Sequence, residues 1–179
     1  MIKGKDHIIF LAVLMLASIL LFKNLGNIYL WQDEAETAVI SQNILKFSLP
    51  MAWDGRNLVS QSPDEELHNS EYVWVQHPWF QYYVTALSFF IFGKSTFAAR
   101  FPFALFGLLS IVFVYYLTLQ LTKEKGTSLF AGFLSAISLP LILYSRQCRY
   151  YSAVMFFSLL AIYSLTVMKE GKRKYIPHS

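Results

Sequence analysis

The amino-acid sequence predicts an all-α, polytopic integral membrane protein with about four transmembrane helices and interfacial helices in a large first extracytoplasmic loop. Of its 179 residues, 55% are hydrophobic and 17% are aromatic, and the mean hydropathy is +0.42. A soluble domain of this size has no interior large enough to hide so much apolar surface. Several apolar runs approach or exceed the roughly 18 residues that indicate a membrane span.

Five apolar segments are candidate membrane helices: His7–Leu30, Trp79–Phe92, Phe97–Thr122, Ser128–Ser145 and Ser152–Met168. The first follows two lysines and lacks a small-residue cleavage site, so it predicts an uncleaved signal anchor. The second would be only about 21 Å long as a helix, short of the roughly 30 Å hydrocarbon core. Its many aromatic residues are typical of an interfacial or re-entrant helix, which leaves four crossings.

The basic residues support this topology. With four crossings and a cytoplasmic N-terminus, Lys123, Lys125 and the basic C-terminal tail lie inside, as the positive-inside rule expects, whereas five crossings place them outside. The net charge of +4 is then explained by membrane topology, and no basic stripe predicts a nucleic-acid partner. The expected location is a cell membrane. The residues predicted on its extracytoplasmic side are Asp33, Glu34, His77, Arg100, Arg146 and Arg149.

The stretch 31–96 is the predicted extracytoplasmic loop. Apolar and polar residues mix over Glu34–Phe47 in a pattern that suits an amphipathic helix on the membrane surface, with Pro50 ending it. Turn residues follow at Asp54-Gly55 and Ser62-Pro63-Asp64. The acidic residues of the loop beyond these turns are expected to be solvated: Asp64, Glu65, Glu66 and Glu71.

Asp33 and Glu34 stand side by side where the first apolar run ends, next to Trp31 at the predicted membrane interface. Carboxylates held there suggest chemistry on a membrane substrate, with two solvated loop acids as the alternative. Arg146 and Arg149 are three apart and would share one face of a helical turn. Guanidinium groups bind phosphate oxygens well, and the alternative is contact with lipid phosphates.

An ordered set of motifs resembles the start of the polytopic glycosyltransferases of the protein O-mannosyltransferase superfamily (glycosyltransferase family 39 and its bacterial and archaeal relatives). The motifs are Asp33-Glu34-Ala35, His77-Pro78, Phe92–Ser95, Ala99–Pro102 and Leu143–Ser152. The resemblance extends from about Trp31 to Met168 and implies the GT-C fold. It also implies transfer of a sugar from a polyprenyl-phosphate donor on the extracytoplasmic side. Because family members are usually several hundred residues long, residues 1–179 are expected to form an N-terminal membrane module or a truncated product.

The resemblance implies roles for individual residues. Asp33 would act as the base that takes the proton of an acceptor hydroxyl, with Glu34 orienting the acceptor or acting on Asp33 through like-charge repulsion. Arg146 and Arg149 would bind the donor phosphate. His77 would bind phosphate or acceptor, or else cap a helix, and Tyr150 would bind the donor or sit at the interface.

Two further expectations concern Arg100 and metal binding. Arg100 is expected to anchor the start of its helix at the interface. Several relatives carry an acidic residue just after the second arginine of the Arg-x-x-Arg run, where this chain has Tyr150 and Tyr151. We therefore predict no metal site, although a divalent metal is possible in this family. The lone Cys148 has no disulfide partner in the chain and no zinc-type spacing.

The expected partners are the polyprenyl-phosphate sugar, membrane lipid, and missing C-terminal helices or a partner subunit. Two other functions stay open: a non-catalytic membrane subunit or pseudoenzyme, and a fragment of a transporter for a lipid-linked substrate. A transporter should carry ionisable residues near the middle of its spans. Here the charges gather at the ends of the apolar runs, which favours surface chemistry.

Overall fold

The computed structural model describes residues 4–59 and 67–175, with the side chains of 5–59 and 67–170. The predicted turn at Ser62-Pro63-Asp64, Glu65, Glu66 and the side chains of the basic tail beyond Glu170 lie outside these ranges. Within them the chain forms α-helices and three isolated β-bridges, and no strand. The all-α prediction is confirmed. The helices are α1 (Gly4–Phe22), α2 (Gln32–Phe47), α3 (Phe80–Phe92), α4 (Thr96–Thr122), α5 (Lys125–Ala136), α6 (Leu139–Ser145) and α7 (Tyr151–Tyr175).

Three of the described helices are long and apolar enough to cross a membrane. These segments are Lys5–Phe22 in α1, Thr96–Thr122 in α4 and Tyr151–Glu170 in α7, and the bent pair α5 and α6 would add a fourth if it forms one span. Helix α3 is about 20 Å long, which is shorter than the hydrocarbon core. The prediction of a polytopic membrane protein is confirmed, with three or four candidate spans.

Helix α1 ends at Phe22, so the expectation of one helix as far as Leu30 is wrong. Asn24 has a left-handed φ of 56°, which terminates the helical path. An added Cβ on Gly26 would lie 3.0 Å from Phe97 Cβ, so the connector after α1 runs close to the start of α4. Within the connector Leu25 is buried, whereas Ile28 and Tyr29 are exposed.

The single helix expected over Ser128–Ser145 is also wrong, because α5 and α6 are separate helices bent by 56°. Pro140 explains the break. Proline has no N–H to donate to the carbonyl four residues earlier, and its ring clashes with that carbonyl in a continuous helix. In the observed structure Pro140 lies in the first turn of α6, where no intrahelical donor is needed.

The chain divides into two compact units, and the first comprises residues 1–23, 104–145 and 151–179. Helix α1 packs on α5 and α6 in this unit, and Phe10 stacks on Tyr115 of α4 with ring centroids 4.1 Å apart. Aromatic rings also join α4 to α7, where Phe113 contacts Phe156. An added Cβ on Gly107 would lie 2.5 Å from Ser145 Cβ, so only glycine permits this approach.

The second unit comprises residues 24–103 and 146–150. Helices α2 and α3 pack together over a core that includes Ile40, Trp74 and Tyr82. A hydrogen bond ties α3 to the start of α4: Ser88 Oγ donates to the Ala98 carbonyl at 2.6 Å. Pro102 stands four residues later and has no N–H to offer that carbonyl. The Ser88 hydroxyl therefore satisfies an acceptor that the helix leaves unpaired.

Candidate functional site

The first turns of α2 carry three carboxylates, Asp33, Glu34 and Glu36. The N-terminus of a helix favours negative charge because its unpaired N–H groups and its dipole are positive there. The Trp31 N–H donates to Glu34 Oε2 at 3.4 Å. Asp33 and Glu36 are three residues apart and share a face of the helix, whereas Glu34 projects from another side. The three acids therefore separate into two groups.

Glu34 is fully buried and paired with Arg100. Arg100 Nε donates to Glu34 Oε1 at 2.8 Å and Nη2 donates to Oε2 at 2.6 Å, a bidentate pair. The Cys148 N–H also donates to Oε1, at 2.7 Å. Both carboxylate oxygens are thus bonded within the protein. This placement differs from the expectation that Glu34 orients an acceptor, because the carboxylate has no surface that an acceptor could reach.

Arg100 is itself buried, which differs from the expected anchor at the membrane interface. Its Nη1 donates to the carbonyls of Leu25 at 3.1 Å and Ile28 at 2.9 Å, and its Nη2 donates to the carbonyl of Tyr29 at 3.2 Å. The connector after α1 cannot pair these carbonyls as a helix would. The pair of Glu34 and Arg100 holds together four parts of the chain: the connector, the start of α2, the start of α4 and the segment 146–150. We call this pair the buried lock.

Asp33 and Glu36 meet a different cation, Arg149. Arg149 Nη1 lies 3.3 Å from Glu36 Oε1 and donates to the Asp33 carbonyl at 3.2 Å, and Nη2 lies 3.8 Å from Asp33 Oδ2. The side chains of Arg149 and Glu36 are 5% and 3% exposed, whereas that of Asp33 is 30% exposed. We call Asp33, Glu36 and Arg149 the acidic cluster. Its one accessible carboxylate is Asp33.

Arg146 and Arg149 do not share a helical face, as the sequence had suggested, because residues 146–150 form an irregular segment between α6 and α7. Arg149 points into the acidic cluster and is buried. Arg146 is half-buried, and both burial and the nearby charge of Arg100 lower the pKa of its guanidinium. An arginine still keeps its charge at neutral pH. The two arginines therefore face different surroundings.

His77 and Tyr150 both adjoin Arg149. Arg149 Nη2 lies 3.4 Å from His77 Nε2, and the Tyr150 ring centroid is 5.6 Å from the guanidinium carbon and 5.9 Å from the His77 ring. Helix α3 begins at Phe80 with Trp79 as its N-cap residue, so His77 is not the cap of that helix. In the described part of the chain, His77 Nδ1 is buried and has no hydrogen-bond partner.

The surroundings shift the protonation of two of these groups. Burial raises the pKa of Glu36; Arg149 opposes this shift and Asp33 adds to it. Burial and the charge of Arg149 both lower the pKa of His77. A neutral His77 can accept a hydrogen bond from Arg149 at Nε2 and keep its proton on Nδ1, which leaves that N–H available as a donor.

Among the described residues, no group of three or more His, Cys, Asp or Glu side chains is arranged to hold a metal ion. The site instead offers an accessible carboxylate beside cationic and neutral hydrogen-bond donors. That arrangement is able to accept a proton from a hydroxyl and to stabilise negative charge nearby.

In the structure Asp33, His77, Arg149 and Tyr150 lie close together, whereas Glu34 forms a separate pair with Arg100. Sequence reasoning missed Glu36 and the pairing of Arg100 with Glu34. Glu36 carries a detectable signal, because it follows Asp33 by three positions on a predicted helix. The pairing of Arg100 with Glu34 has no local signal, since the two residues are far apart in the chain.

Comparisons with known proteins agree with this picture. The family model described as dolichyl-phosphate-mannose-protein mannosyltransferase matches residues 76–177, more than half of the chain. An uncharacterized protein of Aquifex aeolicus (strain VF5) is 29% identical over 155 residues, which cover 86% of this chain and 28% of that relative. The chain thus spans little more than a quarter of the relative's length. No solved structure matches. The chain belongs to the dolichyl-phosphate-mannose-protein mannosyltransferase family.

Proposed function

We propose that this chain is part of a membrane glycosyltransferase that transfers a sugar from a polyprenyl-phosphate donor to an acceptor on the extracytoplasmic face. The observation that carries the proposal is the acidic cluster. In a chain of this family, Asp33 is an accessible carboxylate beside a buried arginine and a histidine with an unpaired nitrogen.

Asp33 is the proposed base. Sugar transfer requires a group that removes the acceptor hydroxyl proton as the acceptor oxygen attacks the anomeric carbon. The side chain of Asp33 is 30% exposed, and its Oδ2 lies 3.8 Å from Arg149 Nη2. Glu34 has both oxygens bonded in the buried lock, so we assign it a positioning role at the start of α2.

The leaving group is a phosphate, and its developing negative charge needs cationic donors. Arg146 and Arg149 are the proposed donors, and the N–H of His77 and the hydroxyl of Tyr150 would add hydrogen bonds.

The number of candidate crossings and the positions of the basic residues support an extracytoplasmic location. If α1, α4, the pair α5–α6 and α7 each cross once, the α1–α4 and α6–α7 connections lie on the same side of the membrane. These connections carry the proposed site. The basic residues Lys123 and Lys125 then lie on the opposite, cytoplasmic side with the N-terminus. We propose that the site acts in the plasma membrane or an equivalent membrane.

The test uses membranes that contain the full-length protein, with radiolabelled mannose on a polyprenyl phosphate as donor. Incorporation into lipid, protein and glycan fractions is followed separately, so no acceptor need be assumed. Asp33→Asn should lower the transfer rate by roughly 100-fold or more, because a general base contributes about that much. Asp54→Asn is the matched control, since the Asp54 carboxylate is exposed and accepts hydrogen bonds from the N–H groups of Arg56 and Asn57 in its own turn.

Full activity in Asp33→Asn would show that the base assignment is wrong. Transfer from a nucleotide sugar but not from the polyprenyl donor would overturn the donor class. A full-length protein that transfers no sugar from either donor would favour the alternative of a non-catalytic subunit.

A further inference from the structure

The end of α2 and the loop that follows it carry an exposed row of rings. Phe47 stacks on Trp53 with ring centroids 6.3 Å apart and an interplanar angle of 21°. Trp53 lies next to Tyr72 at 6.4 Å, and Tyr72 lies next to His68 at 5.4 Å. The exposed fractions of Phe47, Trp53 and Tyr72 are 40%, 40% and 45%. We call Phe47, Trp53, Tyr72 and His68 the aromatic surface.

Hydrogen bonds to the backbone hold two of these rings in place. The N–H of Ala52, next to Trp53, donates to the Tyr72 carbonyl at 2.7 Å. Asn43 of α2 is buried, and its Nδ2 donates to the carbonyls of Met51 at 2.8 Å and Trp53 at 3.4 Å. The loop is therefore fixed to α2 on one side and to the turn that carries Tyr72 on the other. Rings held in this way lose little freedom when a ligand binds.

Tyr72 has a backbone conformation that a tyrosine rarely adopts. Its φ is 60°, in the left-handed region that glycine adopts easily and that strains a residue with a Cβ. The Asn69 side chain fixes this turn, because its Oδ1 accepts hydrogen bonds from the N–H groups of Glu71 at 3.0 Å and Val73 at 2.9 Å. Glycine at position 72 would form the same turn more easily. An exposed ring kept there against the preference of the backbone indicates a role in binding.

The charge of the loop indicates which kind of ligand suits the aromatic surface. The stretch 46–76 has five acidic residues and two basic ones, Lys46 and Arg56. Anionic lipid headgroups attract basic segments and repel an acidic loop. A glycan suits both features, because the C–H faces of its sugar rings pack on aromatic rings and its hydroxyl groups donate hydrogen bonds to carboxylates. Glu71 is an exposed carboxylate of this kind, directly beside Tyr72 in the turn.

We propose that the aromatic surface binds a glycan and that this glycan is the acceptor of the sugar transfer. The identification of the glycan as the acceptor rests on the proposed function. Asp33 lies in the first turn of α2 and Phe47 is the last residue of that helix, so about 20 Å separate them along the helix axis. A glycan of several sugar units is long enough to lie on the aromatic surface with its end at Asp33.

The test measures binding, without a donor, in the full-length protein reconstituted in nanodiscs of neutral lipid. The probes are fluorescently labelled hexasaccharides of mannose, of glucose and of N-acetylglucosamine, and fluorescence anisotropy reports their binding. At least one probe should bind, and an excess of the same unlabelled sugar should displace it. Trp53→Ala should weaken this binding by roughly tenfold or more, because truncation of a central aromatic residue typically removes that much affinity. If no hexasaccharide binds, the proposal is overturned.

Tyr72→Gly distinguishes a role in binding from a role in folding. Glycine relieves the left-handed backbone and removes the ring, so the unfolding temperature should not fall, whereas the affinity for the hexasaccharide should fall by roughly tenfold. A lower unfolding temperature with unchanged affinity would show that the ring serves folding alone, which contradicts the proposal. If Trp53→Ala is not folded, the result for Tyr72→Gly decides.

A matched pair of variants controls for the loss of an exposed ring. Phe47→Ala removes a ring of the aromatic surface and should weaken hexasaccharide binding. Phe90→Ala removes an exposed ring from α3, in the same unit but outside this surface, and should leave the affinity unchanged. Equal losses of affinity in the two variants would overturn the proposal.

Two other partners of the aromatic surface would give different results. Brominated lipids that quench a part of the tryptophan fluorescence, with that part lost in Trp53→Phe, would place the rings in the membrane. An oligolysine peptide that binds when no hexasaccharide does would assign the surface to a basic protein segment. Either result overturns the proposal.

The sugar-transfer assay separates this inference from the proposed function. If Asp33→Asn abolishes transfer but no hexasaccharide binds, the glycan surface is wrong and the proposed function stands. If a hexasaccharide binds and Trp53→Ala weakens it, but the natural protein transfers no sugar from the polyprenyl donor, the glycan surface stands and the proposed function fails. If both hold, Trp53→Ala should raise KM for the hexasaccharide acceptor and leave kcat unchanged.

Discussion

Replacing Arg100 with methionine should open the buried lock and expose Cys148. Methionine roughly keeps the volume of the arginine stem but removes all five hydrogen bonds that Arg100 makes to Glu34 and to the connector carbonyls. The Glu34 carboxylate would remain in the interior with only two backbone N–H donors, those of Trp31 and Cys148. The expected result is a large loss of stability in the second unit.

The magnitude follows from burial. Removing one partner of a buried ion pair costs about 3–5 kcal/mol, because the other charge stays buried without compensation. The pair Lys123–Glu170 offers a comparison within the same chain. Its nitrogen and oxygen are 2.7 Å apart, but the side chains are 59% and 45% exposed. Breaking an exposed pair of this kind costs about 0–1 kcal/mol.

Alkylation of Cys148 is a suitable assay because this thiol is the only one in the 179 residues and is fully buried. Burial also raises its pKa to about 12, so the reactive thiolate is scarce in the folded state. At a fixed pH in native membranes, a loss of 3 kcal/mol or more raises the alkylation rate by roughly 100-fold. Lys123→Met should change that rate less than about fivefold.

The double variant Glu34→Gln with Arg100→Met sharpens the test. It removes the stranded charge, so Cys148 should be alkylated more slowly than in Arg100→Met alone. Equal alkylation rates in Arg100→Met and Lys123→Met would refute the reasoning that the buried pair is the main tie in this unit.

Other changes have separate outcomes. Gly107→Ala should destabilise the protein by about 1–3 kcal/mol in thermal unfolding because the new methyl meets Ser145, whereas Gly126→Ala, with open space around it, should not destabilise it. Ser88→Ala should cost about 1–3 kcal/mol in the same assay, since it leaves a buried carbonyl unpaired. The pKa of His77 is lowered in the folded state. The contribution of this histidine to the free energy of unfolding is therefore present above pH 6.5 and is lost as the pH falls through the folded-state pKa. His77→Asn should therefore flatten the acid side of the unfolding curve against pH, and an unchanged slope would contradict the burial of a neutral histidine.

Much of the fold follows from local patterns. The helices over Phe97–Thr122 and Glu34–Phe47 could be predicted because long apolar or amphipathic runs carry their own periodicity, and the structure begins them within two residues of those bounds. The end of α1 could not be predicted this way. The connector after Phe22 still contains Leu25, Ile28 and Leu30, and its conformation depends on carbonyls that bind the distant Arg100.

In the site, too, some features could be predicted from the sequence and others could not. The carboxylate of Asp33 and the arginines near residue 149 could be identified as candidates from their residue types and their order along the chain. The partner of each carboxylate could not be predicted. Glu34 pairs with Arg100, and Asp33 and Glu36 pair with Arg149, through contacts between residues far apart in the chain. Helix geometry separates Asp33 and Glu36 from Glu34, and burial then decides which of them stays accessible.

The buried lock has a consequence for biosynthesis. Glu34 bonds a side chain 66 residues later and a backbone N–H 114 residues later. At roughly 5–20 residues per second, a ribosome takes on the order of ten seconds to make the chain from Glu34 to Cys148. During this interval the Glu34 carboxylate lacks its full set of partners while the four helices α3 to α6 are made. Helix α2 therefore reaches its final place only after the connection between α6 and α7 has emerged, late in the synthesis of these 179 residues.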